Sequence, residues 1–297
     1  MPCSYLHVVF STPAVLKALA HYCPVVFYDA VIRAAGQAIV DVGRLKLHAQ
    51  LGCQVHLQTW TQRMALHPHA HCVVPCGGFS ADGRRWNAFE PADLPKKALS
   101  KRFRSVLCQS LQQAVRQGKL RNLPEAISVE GLLTGAIAGD WRVYSEPPFG
   151  GPEQLLAYLA RYTYRVAITN DRIEAYENDH VTFRCRDSRD ARSAIACTLG
   201  AQEFVRRFLM HVPPRGFVRI RSYGFMSNRS RKKNMIRARQ LIGSTTTRVE
   251  RKSFTPLRLC PACSGRDERT LHVAVSPAVA AQMNLSLRPP PSREAAA

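Results

Sequence analysis

Apolar positions recur along the chain at two periods. A short run rich in valine and aromatic residues at 5–12 (YLHVVFST) predicts a β-strand, whereas Val31, Ile32, Ala35 and Ile39 fall at helical spacing within Tyr28 to Val42. Two further strands are expected at 53–62 (CQVHLQTWTQ) and 69–75 (HAHCVVP), with a tight turn at Asp82-Gly83 after them. Leu99, Phe103, Leu107, Leu111 and Ala114 line one side of a long amphipathic helix from Pro95 to Gln117, and 141–146 (WRVYSE) returns as a strand. A loop rich in proline and glycine then opens a helix at Pro152, with Glu153 in the first turn, where the helix dipole favours an acid. Residues 172–187 read as a hairpin turning at Asn178-Asp179. Thr198 is expected to cap a helix through Glu203, Phe204, Phe208 and Leu209, which HVPPRG stops.

These elements belong to a chain of 297 residues, 46% apolar, enough for one large core or two modest ones. Charge changes the picture. Lysine and arginine total 42 against 21 acids, a formal +21 that points to a polyanionic partner, nucleic acid first. The excess is concentrated: from Phe204 to Lys252 there are fourteen lysines and arginines and one acid, Glu250. Within it, 219–243 interleaves base-stacking aromatics, Tyr223 and Phe225, with Arg219, Arg221, Arg229, Arg231, Lys232, Lys233 and Arg237, which are assigned to DNA contacts. The expected organisation is a catalytic domain at 1–200, a basic helical DNA-binding extension at 201–265 and a poorly ordered tail at 266–297. No apolar run approaches the roughly 18 residues of a membrane span, and the first residues lack a secretory leader, so a cytoplasmic protein is expected. The ten cysteines are scattered and read as reduced core residues, Cys72 among them.

Candidate chemistry sits in two short stretches. On a strand, alternate side chains share a face, so His69 and His71 would stand side by side with Ala70 turned into the core. Two neutral imidazoles make a platform for a divalent cation that needs further ligands. Gln62 is favoured as the third because it is nearest the turn; Gln58 and His56 also precede it, and His67 is open between ligand, substrate contact and neither. Tyr158 and Tyr162 lie four apart on a predicted helix, hence on one face. A phenol can attack a phosphodiester and keep the bond as phosphotyrosine, with Arg161 or Arg165 helping to neutralise the phosphate. The same spacing also suits aromatic residues on the core face of an ordinary helix. Cys260 and Cys263 (CPAC) form half of a possible zinc site, with no second pair in the chain.

Six blocks in order, YLHVVFSTP, LQTWTQ, HPHAHCVVPCGG followed by DGRRW, PPFGGPEQLLAYLARYTYRVAI, EFVRRFLMHVPPRGFVRIRSYGFMSNRSR and CPAC, resemble the two-tyrosine HUH transposases of rolling-circle insertion sequences and common-region elements. The resemblance runs from about residue 4 to residue 265. It implies an α+β fold: a palm-type antiparallel sheet flanked by helices, with the histidines on a central strand and the tyrosines on a helix beside it. It makes His69 and His71 the metal pair for Mg²⁺ or Mn²⁺, and Tyr158 and Tyr162 the nucleophiles that form 5′-phosphotyrosine. Its implied partner is single-stranded DNA at element ends and target, with no membrane, in the bacterial cytoplasm at the nucleoid. Gln58 stands where such proteins often have histidine, and Glu146 where lysine is usual. Their N-terminal zinc-binding region is expected to be missing. An HUH replication initiator or relaxase, and a catalytically silent DNA-binding remnant, are the competing readings.

Overall fold

A computed structural model of the chain describes residues 1, 3–139, 141–149, 167–186 and 193–243, without the side chains of 146–149. The helix expected from Pro152, Tyr158, Arg161, Tyr162, Arg165, Cys260, Cys263 and the tail lie outside the described residues.

The chain opens with strand β1 (Tyr5–Ser11), helices α1 (Lys17–Tyr22) and α2 (Pro24–Lys46), strands β2 (Gly52–Trp60) and β3 (Leu66–Pro75), and a short hairpin, β4 (Gly77–Phe79) and β5 (Trp86–Ala88). Helices α3 (Lys96–Arg116) and α4 (Val129–Ala138) and strand β6 (Val143–Phe149) follow. After the tyrosine segment come β7 (Ile173–Glu177), β8 (His180–Arg186), β9 (Ala194–Gly200), α5 (Ala201–Leu209), β10 (Ile220–Gly224) and α6 (Arg231–Ile242). The central sheet has the order β10-β2-β3-β1-β6, with every neighbouring pair antiparallel.

The sheet's two faces differ because strand side chains alternate. Leu6, Val8, Phe10, Val55, Leu57, Ala70, Cys72 and Val74 point to one side, where α2 and α3 cover them in a single core. Phe10 meets Phe103 of α3 with ring centroids 4.9 Å apart, and Phe103 meets Trp141 at 5.5 Å. Side chains of this size contribute about 1.5–3 kcal/mol each when fully buried. Glycine at position 36 lets α2 approach the sheet, since a Cβ there would collide with the ring of Tyr223 on β10. The residues at intervening positions face the other way and include five of the ten histidines.

A three-stranded sheet, β7-β8-β9, forms a second layer with α5 around its own core of Met64, Ala167, Phe183 and Cys185, joined by Trp60, Phe204 and Phe208. Met64 is the tip of the β2–β3 turn, with a φ of 56°. Arg172 and Cys185 donate to the carbonyl of Gln62 in that turn, and His211 Nε2 donates to Met64 O at 3.0 Å. Helix α6 packs Met235, Ala238 and Leu241 against Phe79, Trp86 and Phe225. Among the described residues no helix is long and apolar enough to cross a membrane.

The hairpin at Asn178-Asp179 forms, with both residues at positive φ, and Gly83 closes its turn at a φ of 71°. Four local expectations differ. The helix read at 28–42 begins at Pro24, whose missing N–H costs nothing in a first turn, and runs to Lys46. Thr198 caps no helix: it lies on β9, its hydroxyl 2.9 Å from that of Thr182 on β8, and α5 starts after Gly200. Helix α4 went unread; Ser128 caps it, accepting from Gly131 N. Most consequential, the segment read as a helical extension contains β10, which pairs with β2 from Ile220↔His56 to Gly224↔Gly52 and forms the sheet's edge.

Candidate functional site

Strand register builds the polar face. His56 on β2 lies opposite His71 on β3, Gln58 lies opposite His69, and on the far side of β3 Val9 and Ser11 of β1 face His71 and His69. His7 is two residues from Val9 and therefore on the same face. The ring centroids of His69 and His71 are 4.8 Å apart, those of His67 and His69 5.2 Å, and those of His7 and His71 5.1 Å. Pro68 has no N–H for the ladder, and the β2–β3 pairing shifts register between Gln58 and Trp60 beside it. Thr12 Oγ1 donates to the Pro68 carbonyl and holds the end of β1 at that irregularity.

Hydrogen bonds orient the rings. His69 Nδ1 is 2.6 Å from the carbonyl of His67. A carbonyl only accepts, so Nδ1 carries the proton and the lone pair of His69 is on Nε2. His71 Nδ1 is 2.8 Å from His7 Nε2. Burial holds these rings neutral: desolvation lowers His69 to about 4, with the charges of His67 and His7 adding to it, and takes His56 to about 4, with His7 contributing. His71 is driven well below the usual histidine range by burial, then by His69, His7 and His56. His67 is lowered by burial and by Lys17. Gln58 Oε1 is buried with no hydrogen-bond partner among the described residues. Among the described residues no three His, Cys, Asp or Glu side chains are grouped to hold a metal ion. The donor set that shares this face is imidazole plus an amide oxygen, neutral nitrogens and an oxygen with no partner among the described residues, chemistry that fits a divalent cation.

The other predicted site residues are placed as follows. Gln62, favoured as third ligand, is exposed in the turn beyond β2, while Gln58 is the residue beside His69. The turn's own hydrogen bonds explain this, because Arg172 and Cys185 hold the Gln62 carbonyl against the small sheet. Arg221 lies on the helix-covered side of the sheet, paired with Asp29 of α2 and stacked 5.5 Å from the Phe217 ring. Arg219 opposes Leu57 on that same side, and its half-burial lowers its pKa. Arg229, Arg231, Lys232, Lys233 and Arg237 are exposed on and before α6, with Arg237 over the Phe79 ring at 5.6 Å. Sequence reasoning missed His7. Its only signal was the alternation of YLHVVFS, which puts Tyr5, His7, Val9 and Ser11 on one face without saying which strand lies beside it.

Comparison with known proteins brings further observations. Residues 52–234 match a family described as "Putative transposase" (Y2_Tnp). The chain is 38% identical over 281 residues to "Putative transposase y4qJ" of Sinorhizobium fredii, covering 87% of this chain and 71% of that protein. It is 25% identical over 233 residues to the transposase for insertion sequence element IS801 of Pseudomonas savastanoi pv. phaseolicola, covering 76% of this chain and 55% of that protein. Among solved structures, the conjugative relaxase TrwC in complex with mutant oriT DNA is similar at 15% identity and a TM-score of 0.30, over 52% of this chain and 71% of that one. A metal-bound TrwC–oriT structure is similar at 13% identity and a TM-score of 0.30, over 53% of this chain and 70% of that one.

Proposed function

The chain belongs to this transposase family, and from that premise we propose that it cuts and rejoins single-stranded DNA by tyrosine transesterification at a divalent cation on the histidine face. The observation that carries the reading is that His69, His71 and Gln58 share one face of a sheet whose other face is covered by helices. His69 would bind through Nε2, since its Nδ1 proton goes to the His67 carbonyl. His71 would bind through Nε2 in the tautomer in which its Nδ1 donates to His7 Nε2, 2.8 Å away. Gln58 would supply the oxygen, in place of Gln62. When bound, Mg²⁺ or Mn²⁺ would polarise a phosphate oxygen and offset charge developing on the phosphate.

The chain's own groups have separable tasks. Burial keeps the imidazoles unprotonated, so they are donors at neutral pH and do not repel a cation. The exposed basic groups of α6, Arg231, Lys232 and Lys233, with Arg229 just before it, suit the DNA backbone. Tyr158 and Tyr162 are the proposed nucleophiles. In each cut a Tyr O–P bond forms and the bond from phosphorus to the 3′-oxygen breaks, the phenol giving up its proton and the departing 3′-oxygen gaining one. The products are a 5′-phosphotyrosine and a free 3′-hydroxyl. A second tyrosine allows a second end to be cut while the first stays attached, which suits passage of a single strand from donor to target. Arg161 and Arg165, within a turn of the tyrosines in sequence, are proposed to neutralise the phosphate.

The test is intact-mass and denaturing-gel analysis of the chain with Mn²⁺ and labelled single-stranded DNA, beside Tyr158→Phe, Tyr162→Phe and the double variant. A covalent adduct that the double variant cannot form is expected. An adduct that survives in the double variant would refute the assignment of these nucleophiles.

A further inference from the structure

A cavity of about 410 Å³ lies between the β2–β3 turn and the three-stranded sheet, and Gln58 belongs to both its wall and the histidine face. We propose that it seats one unpaired nucleotide beside the phosphate being cut, and so reads one position of the DNA sequence. The inference rests on the transposase reading above and adds to it where base specificity resides.

Position is the first argument. Gln58 lies directly opposite His69, so a group filling the cavity is the immediate neighbour of a phosphate at the histidines. Size is the second, since pockets for small ligands span about 300–1,000 Å³. Chemistry is the third: the indole of Trp60 supplies a flat apolar wall, and Arg172, Arg184 and Arg186 surround the cavity with Asp171 the acid beside them. The indole suits base stacking, and the guanidinium groups suit both a phosphate and the acceptor edge of a base, the contact that distinguishes one base from another; a free anion would have no use for the indole, and an apolar ligand none for the arginines.

Arg172 and Arg184 are held in place before any ligand arrives. Arg172 Nε donates to Arg184 O at 2.8 Å, its Nη2 donates to Gln62 O at 2.6 Å, and its guanidinium lies 5.8 Å from the Phe183 ring centroid. Arg184 donates to the Asp171 carbonyl and pairs with Glu174 at 3.2 Å. Side chains already ordered lose little entropy when they bind, which favours discrimination among bases over loose attraction. A base can lie flat on the Trp60 indole only when it is out of the duplex stack, so the ligand is single-stranded DNA.

The experiment treats the full chain with Mn²⁺ and a pool of randomised single-stranded oligonucleotides, isolates covalent adducts, and sequences the attached and released pieces. One base is expected to be strongly preferred next to the cut. Trp60→Leu and, separately, Arg186→Ala should flatten that one preference by about tenfold, within the range of base–aromatic stacking, and leave preferences at other positions in place. Arg186 is exposed, so its variant stays informative if Trp60→Leu misfolds. As a readout free of cleavage, 2-aminopurine placed at the preferred position should be quenched by the wild-type chain and less so by Trp60→Phe. Adducts whose base preferences are the same in wild type and both variants overturn this inference and leave the transposase reading standing. If the wild-type chain forms no adduct with any sequence, the transposase reading falls and this inference with it.

Discussion

Replacing Gln58 with leucine should make the chain more stable without metal and less responsive to it. Gln58 Oε1 is a buried acceptor with no partner among the described residues, a condition that costs about 1–3 kcal/mol for such a group. Leucine has a similar bulk and no polar atom, so the metal-free variant should gain about 1 kcal/mol from the lower end of that range. For a chain of this length that is a rise of roughly 2–4 °C in the unfolding midpoint. Metal binding to the native state adds about 2.7 kcal/mol at one hundred times the dissociation constant. A leucine donates no electron pair, so most of this increment should vanish. Urea titrations in chelator and in Mn²⁺, on wild type, Gln58→Leu and Gln58→His, read both quantities, and the histidine variant should recover the metal-linked gain. The reasoning is refuted if Gln58→Leu is destabilised in chelator by more than about 1 kcal/mol, or if it keeps the wild-type response to Mn²⁺.

Three further perturbations test separate parts of the structure. Changing Arg231, Lys232 and Lys233 together to alanine should reduce the slope of log binding constant against log salt by about 2, at close to 0.7 per phosphate contact on a single strand; a titration with an unchanged slope would remove α6 from the interface. Gly36→Ala should destabilise the chain although alanine favours a helix by about 0.8–1.0 kcal/mol, because overpacking against Tyr223 costs about 1–3 kcal/mol; a rise in denaturation midpoint would contradict the packing. His211 donates from Nε2 to Met64 O and accepts at Nδ1 from Thr59 Oγ1, and burial lowers its pKa. Its folded pKa lies below the unfolded one, so its contribution is present in full above about pH 6.5 and fades as pH falls. His211→Gln should therefore show a shallower acid loss of stability, measured by urea midpoints across that range.

Local period revealed much of the scaffold. The helical spacing of α2 and α3 and the short apolar runs of β1 and β3 came from side chains that meet a core, and burial of that kind writes a periodic pattern. What stayed hidden depended on distant pairing. Ile220–Gly224 reads as part of a basic stretch, and only the presence of β2 beside it makes it a strand. His7 and Gln58 reach the histidine face through the registers Val9↔His71 and Gln58↔His69, and a slip of one residue would turn either into the apolar core. Gln62 was chosen for being near the turn in sequence, whereas the turn bends away to meet Arg172. Thr198 has the side chain of a helix cap, but β8 offers Thr182 across the strands. That His69 and His71 share a face, and the turn at Asp82-Gly83, were legible because each depends on neighbouring residues.

The placement of charge leads to a prediction about which residues serve affinity and which serve chemistry. His7, His56, His67, His69 and His71 crowd one face of a chain whose formal charge is already +21. Protonated imidazoles there would repel a cation, and burial prevents it by holding His56 and His69 to about 4 and His71 lower still. The permanent charge is carried elsewhere, by exposed arginines and lysines on α6 and around the cavity beside Gln58. Affinity for a phosphate backbone should therefore survive loss of the histidines, while cutting should not. His69→Ala and His71→Ala are expected to bind single-stranded DNA with nearly the wild-type salt slope, to form no covalent adduct, and to lose the stabilisation by Mn²⁺. Equal loss of DNA binding in both variants, measured with unfolding midpoints to confirm that they remain folded, would mean that the histidine face itself grips the strand and that the two tasks are not divided.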